Sequence, residues 1–304
     1  MTVSTNTPPP ALGGKALAEL SLLGVIWGAS FLSIRIALDE VSVLSSVCHR
    51  VGWAALILWL IVWSRGISVP RTASIWGAFL VMGLLNNAVP FTLMAWGQLY
   101  IETGLTSILN ASTAIWGALA AALAFGDERL TAQRAAGIGL GFAGVVTIVG
   151  PGVLTGLDLR STAQIAVIAG TLSYAAASVW ARLKLGGLPP IVAAAGMLTG
   201  STMILVPLTL VLEGGIDLPD TARGTIAIAY YAGIATALAY LLYYRILATS
   251  GAGGTMLVTL LIPPVAVCLG AVVLGERLEM RAFAGLAVLA LGLVVLAVPR
   301  RARS

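Results

Sequence analysis

Two stretches of this chain repeat each other, and any fold must accommodate that repeat. Gly126-Asp127-Glu128-Arg129-Leu130 separates two long apolar runs, and Gly275-Glu276-Arg277-Leu278 does the same 148 residues later. On that offset Gly137 falls on Gly285, Gly144 on Gly292 and Pro151 on Pro299. The starts of the halves echo each other more weakly: Trp27 and Arg35 lie opposite Tyr174 and Arg182 at an offset of 147. Internal repeats in an apolar chain are a common way of building a carrier around a central site.

The apolar character decides the solvent. The chain is 59% hydrophobic and 10% charged, whereas a soluble domain carries roughly 25% charged residues. So much apolar surface does not fit inside one aqueous core, and the chain reads as an integral membrane protein. The net charge of +5 is small and sits in loops and at the C-terminus, where juxtamembrane Lys and Arg are expected. A nucleic-acid partner is therefore not indicated. Cys48 and Cys268 both lie in apolar runs, and a single histidine leaves no metal-ligand cluster. Neither a disulfide framework, a metal nor a cofactor is expected.

A spanning helix takes about 20 mostly apolar residues. Ten runs qualify, at 16–37, 43–63, 74–97, 104–125, 132–150, 163–183, 190–212, 223–247, 253–274 and 281–298. The expected organisation is a flexible tail over 1–15, a five-helix repeat over 16–151, a second over 158–299, and a basic tail over 300–304. With the N-terminus in the cytoplasm, eleven Lys and Arg fall inside and six outside, as the positive-inside rule requires. Five is odd, so the second half crosses the membrane upside down relative to the first. The fold class expected is thus all-α, ten transmembrane helices in an inverted five-plus-five repeat, with both termini cytoplasmic. Pairs such as Gly24/Gly28, Gly137/Gly141 and Gly196/Gly200 provide close helix contacts in lipid.

This arrangement resembles the drug/metabolite transporter superfamily, and within it the EamA-type exporters. The resemblance rests on the repeated Gly-(Asp)-Glu-Arg-Leu turns, Trp27-Gly28-Ala29-Ser30-Phe31 in the first helix, Arg50 early in the second, and the run from Leu99-Tyr100 to Gly104-Leu105. It covers about 16–298, and is nearest to bacterial exporters of amino acids, aromatic ones included. It implies alternating access in a bacterial cytoplasmic (inner) membrane, and a pathway enclosed by helices 1, 3, 4, 6, 8 and 9. One departure stands out. Helix nine carries Pro263-Pro264, where helix four has Ile115-Trp116, so the halves are expected to bend unequally.

Polar side chains inside a bilayer are expensive and usually face a cavity or a neighbouring helix. The candidate pathway set is Trp27, Ser30, Asn86, Asn87, Asn110, Thr113, Trp116, Tyr174, Ser178, Thr236, Tyr240, Tyr243, Tyr244 and Thr259. Each has a plainer reading, since Ser and Thr can bond their own helix and Tyr and Trp anchor at interfaces. Pro90, Pro263 and Pro264 are candidate hinges or gates, because proline frees a backbone carbonyl. His49 and Arg50 begin helix two. Arg50 is open to three roles: an ion pair with an acid such as Glu40, a place among the headgroups, or contact with a substrate carboxylate. Glu128 and Glu276 in the repeated turns read as structural.

No Asp or Glu lies near the middle of any span. Proton-coupled carriers commonly use such a carboxylate, and a lipophilic-cation pump needs one as counter-charge. The remaining chemistry of amides, hydroxyls and aromatic rings suits neutral or zwitterionic solutes, foremost amino acids, moving down their own gradient. The competing readings are export of drugs or quaternary ammonium compounds, through cation–π contacts, and a non-transport membrane protein. No nucleophile–base set supports an enzyme. The partners expected are a small-molecule substrate and the lipid bilayer; a monomer satisfies the sequence.

Overall fold

The computed structural model describes residues 14–126, 130–150, 158–256 and 258–297, and among them every regular element is helical. The spans are α1 (Gly14–Ala37), α2 (Val43–Ser64), α3 (Ala73–Gly97), α4 (Thr103–Ala124), α5 (Ala132–Val149), α6 (Leu159–Lys184), α7 (Pro190–Leu212), α8 (Ala222–Thr249), α9 (Val258–Leu274) and α10 (Met280–Ala297). Nine have the length and apolarity to cross a membrane, and α9 is a shorter apolar helix. Apolar side chains also cover the outside: Val211 is 80% exposed and Val272 79%. That surface is stable only against lipid, and the chain is a multi-pass membrane protein.

The helices pack as two related halves. α1 lies on α9 as α6 lies on α4, and α2 lies on α8 as α7 lies on α3. Three pairs of equivalent helices meet across the middle: α5 with α10, α2 with α7, and α4 with α9. The α5–α10 contact shows how the repeat is turned. A Cβ on Gly137 would lie 3.0 Å from the Gly292 carbonyl oxygen, and one on Gly285 2.7 Å from that of Gly144. Gly137 and Gly144 are the repeat mates of Gly285 and Gly292, so each glycine meets the mate of the other. The start of one helix packs on the end of its equivalent, and the two halves run in opposite directions.

α3 and α8 depart from regular helix geometry at matching places. Leu84–Ala88 and Tyr230–Leu238 are widened, π-helical turns. In α3 the cause is legible. Pro90 has no N–H, and in a turn closed five residues apart the carbonyl it would serve is that of Leu85. Ser173 on α6 supplies the missing donor, its Oγ lying 2.7 Å from the Leu85 oxygen. In α8 the indole Nε1 of Trp27 donates to the Ala235 oxygen at 3.1 Å. Each widened turn is thus satisfied from the first helix of the other half, as a bilayer requires of every backbone polar group.

Two expectations change. The helical backbone after α8 continues to Met256, past the end expected at 247 and into the run expected from 253; glycine weakens a helix by about 1 kcal/mol, whereas proline costs about 3. The unequal bending runs opposite to the prolines. α9 is one helix through Pro263 and Pro264, while α4 is interrupted between Asn110 and Thr113. There Ser112 Oγ donates to the Leu109 oxygen at 2.7 Å, a local bond that competes with the helix ladder.

At one end, the α1–α2 turn is tied to the α7–α8 loop. Ser42 N–H donates to Asp217 and its hydroxyl to Glu213, at 3.0 and 2.5 Å. Thr221 donates to Glu40 through its N–H, at 3.0 Å, and through its hydroxyl. These donors hold Asp217, the Ser42 N–H foremost, below the ordinary value of 3.8, and Glu40, the Thr221 hydroxyl foremost, below 4.5.

Two predictions follow from this packing and are read as melting temperature in detergent. Gly144→Ala, which places a Cβ 2.8 Å from the Gly285 oxygen, is expected to destabilise by about 1–3 kcal/mol; Gly139→Ala, with nothing within 4 Å, is expected to be neutral or slightly stabilising. Carboxylates with lowered values stabilise fully above their ordinary values, and that stability is lost as pH falls through the lowered ones. Melting temperature should therefore hold between about pH 7 and 5 and drop below about pH 4, less steeply for Asp217→Asn.

Candidate functional site

A continuous run of aromatic rings and amides lies among α1, α2, α3, α6, α7 and α8. Trp27 meets Tyr243 with ring centroids 5.7 Å apart, Tyr243 meets Tyr244 at 5.4 Å, and Tyr244 meets Tyr240 at 6.3 Å. The three tyrosines share a face because they recur at helical spacing along α8. The Tyr240 hydroxyl then reaches the amides of α3, 3.5 Å from Asn86 Nδ2 and 3.4 Å from Asn87 Oδ1. Asn87 is fully buried and donates to Ser201 Oγ on α7 at 2.9 Å. Asn86 Nδ2 also approaches the Met197 sulfur at 3.7 Å. Asn87 is thereby a link between helices, while Asn86 is the more exposed member of the pair.

Arg50 completes this cluster. It is the eighth residue of α2, near one end of the protein, yet its Nε donates to Thr236 Oγ1 at 3.0 Å, halfway along α8. Its guanidinium lies 3.8 Å from the centre of the Phe91 ring, and Tyr174 packs edge-on against Phe91 at 6.5 Å. The phenol groups of Tyr174, Tyr240 and Tyr231 are close enough to interact with the charge. Among the described residues Arg50 forms no ion pair with Glu40, since its side chain runs to Thr236 and Phe91 instead. Placement among headgroups is also excluded, since Phe91 and Thr236 draw the side chain inward. A cation at mid-depth was not expected from the sequence, because the eye places Arg50 by its Cα and not by the reach of its side chain.

Other candidates lie apart from this cluster or serve the scaffold. Ser30 and Ser178 bond the carbonyls of Trp27 and Ala175 in their own helices, at 2.6 and 2.7 Å. Trp116 donates to Ser112 and packs on Phe142 of α5. His49 is engaged by the Asp217 carbonyl at 2.7 Å. On α4, Asn110 is partly buried, and the Thr113 hydroxyl is buried with no hydrogen-bond partner among the described residues. Thr259 stands in the first turn of α9, partly buried. Pro90 is buried against Gly170 of α6, Pro263 is buried, and Pro264 is exposed. Glu276 caps the start of α4, accepting from Thr103 N–H at 2.7 Å and Gly104 N–H at 3.1 Å. Its repeat mate Glu128 lies outside the described residues. Trp59 donates to Thr199 at 2.8 Å and stacks between Trp63 and Trp76.

Phe91, Ser173, Met197, Ser201 and Tyr231 were not singled out from the sequence. An apolar residue in an apolar helix carries no signal until a partner is known, and a hydroxyl there has the plainer reading of a bond to its own helix. Ser173 had one available cue, its place beside Tyr174.

The model of the EamA-like transporter family matches residues 16–150 and again 161–298. The chain belongs to the EamA-like transporter family. Each match falls on a different five-helix half, so the repeat seen in the packing is also the family's repeat. Among curated proteins, the chain is 26% identical over 268 residues to a probable terminal-alkyne amino-acid exporter of Streptantibioticus cattleyicolor, covering 86% of each. It is 25% identical over 282 residues to an uncharacterized transporter of Archaeoglobus fulgidus, covering 91% of this chain and 96% of that one. A crystal structure superposes with a TM-score of 0.64 at 15% identity, covering 92% and 96% of the two chains; it supports the fold of this EamA-like protein alone.

Ser173→Ala should leave the Leu85 carbonyl without a donor. We expect a loss of about 1–3 kcal/mol, read as a lower melting temperature, with Ser178→Ala near neutral because its hydroxyl bonds only its own helix.

Proposed function

We propose that this EamA-like transporter exports small neutral or zwitterionic metabolites, foremost amino acids including aromatic ones. The unbroken run from Trp27 through Tyr243, Tyr244 and Tyr240 to Asn86 carries this reading. It joins ring faces, suited to apolar or aromatic side chains, to amide and hydroxyl groups suited to a zwitterion's charged ends. It is built from both halves, so a shift of one half against the other changes access to it without dismantling it. Opposed halves of this kind provide two packings of similar energy, one open to each side. The name of the Streptantibioticus relative points to the same substrate class.

In this reading residues 16–151 and 158–299 are the two moving units, and the protein sits in a bacterial cytoplasmic membrane with both termini in the cytoplasm. The candidate pathway is the ring and amide run, with Asn110, Thr113 and Thr259 at its α4–α9 side. The widened turns beside Pro90 and within α8 are the hinges.

The test is counterflow in proteoliposomes loaded with unlabelled phenylalanine. Uptake of labelled phenylalanine should be suppressed by other neutral amino acids and not by nucleosides or tetraalkylammonium ions. Suppression by tetraalkylammonium ions alone would assign the protein to quaternary-ammonium export instead. At zero membrane potential the rate should not respond to an imposed proton gradient.

A further inference from the structure

We propose that Arg50 is the carboxylate anchor of the transport site, and that it orients the substrate along the pathway. This deepens the amino-acid reading and rests on it for the identity of the substrate. The guanidinium is built to be presented. Phe91 covers one face at 3.8 Å, and Thr236 fixes Nε at 3.0 Å. Thr236 is itself held, donating to the Tyr231 oxygen at 2.7 Å inside the widened turn of α8. What remains is the outer fork, Nη1 and Nη2, for which the described residues supply no hydrogen-bond partner and no carboxylate.

An uncompensated charge at this depth is costly and is normally kept for function. The acids of the loops at the start of α2 are engaged elsewhere, Asp217 by the Ser42 N–H among them. Glu40 is engaged by Thr221 and Glu213 by Ser42 and Leu44. A planar fork with two parallel donors matches a carboxylate in two-point contact, and lysine does not reproduce that match.

The charge is also one-sided. On the offset of 147 that relates Trp27 to Tyr174, Arg50 falls opposite Met197, a buried thioether beside Asn86. The repeat pair therefore has one cationic and one apolar member, and both reach the same cluster around Tyr240. From Arg50 the ring run leads through Tyr240 to Tyr244 and Tyr243, further along α8, and returns to Trp27, whose indole bonds the Ala235 oxygen. A bound amino acid places its carboxylate at Arg50 and its side chain along those rings.

The experiment compares carboxylate and amide ligands on the purified full-length chain in liposomes. Phenylalanine, phenylalaninamide and 3-phenylpropionate compete against labelled phenylalanine in counterflow, for the wild-type chain and for Arg50→Gln, Arg50→Lys and Thr236→Val. We expect the wild-type chain to favour phenylalanine over its amide by about tenfold or more, equivalent to about 1.4 kcal/mol. Arg50→Gln should erase that preference by weakening phenylalanine and not the amide. Arg50→Lys and Thr236→Val should fall between, and these two keep the test open if Arg50→Gln does not fold. An unchanged preference in folded variants overturns the anchor while leaving amino-acid export standing. Failure of the wild-type chain to move any amino acid strikes the export reading instead. The anchor is then decided by thermal stabilisation with carboxylate–amide ligand pairs, and it is overturned if no Arg50-dependent preference for the carboxylate appears.

Discussion

In hydrocarbon two helices gain nothing by hiding apolar surface from each other, so the distance of approach decides how strongly they hold. The contact of α5 with α10 meets that constraint with glycines, letting backbones touch where a single Cβ would collide, while Ile148, Leu289 and Leu296 pack around them. Because Gly137 meets the mate of Gly144, and the reverse, this one contact also fixes the antiparallel relation of the halves. The other cross-pairings, α1 with α9 and α6 with α4 among them, are consistent with the same two-fold relation.

The second demand of the bilayer is that each backbone carbonyl find a donor. α3 and α8 violate regular geometry at matching positions of the repeat, and each is repaired by a side chain from the opposite half. Ser173 serves Leu85, and Trp27 serves Ala235. A widened turn satisfied from outside its own helix is a place where two helices are coupled. It is also where the ring and amide run passes, so the residues that close the irregular turns stand among those facing the candidate substrate path.

Symmetry alone would make a pathway with identical ends. The chain breaks it at Arg50, whose opposite number is Met197. Pairing Arg50 internally with Glu40 would have cancelled the charge. Instead the Glu40 carboxylate accepts from Thr221, and Phe91 with Thr236 hold the guanidinium. The placement of one charge thus depends on three helices and a loop.

The sequence by itself determined the solvent, the number of spans and their opposed halves. Each follows from local quantities: apolar run length, an odd count per repeat, and glycines on a fixed offset. It also marked Trp27, Asn86, Tyr240, Tyr243 and Tyr244, because polar or amphipathic groups in apolar helices stand out one at a time. It left open whether Asn87 bonds a helix or lines a path, and where Arg50 points. Those are questions of partners over a hundred residues away, such as Ser201 for Asn87 and Thr236 for Arg50. No periodicity encodes them, because the registers of α7 on α3 and of α8 on α2 arise only when the helices pack. The break in α4 and the unbroken helix through Pro263-Pro264 belong to the same class. A proline's cost is fixed by its chemistry, but whether a helix bends to meet it is decided by the neighbours available to satisfy the freed carbonyl.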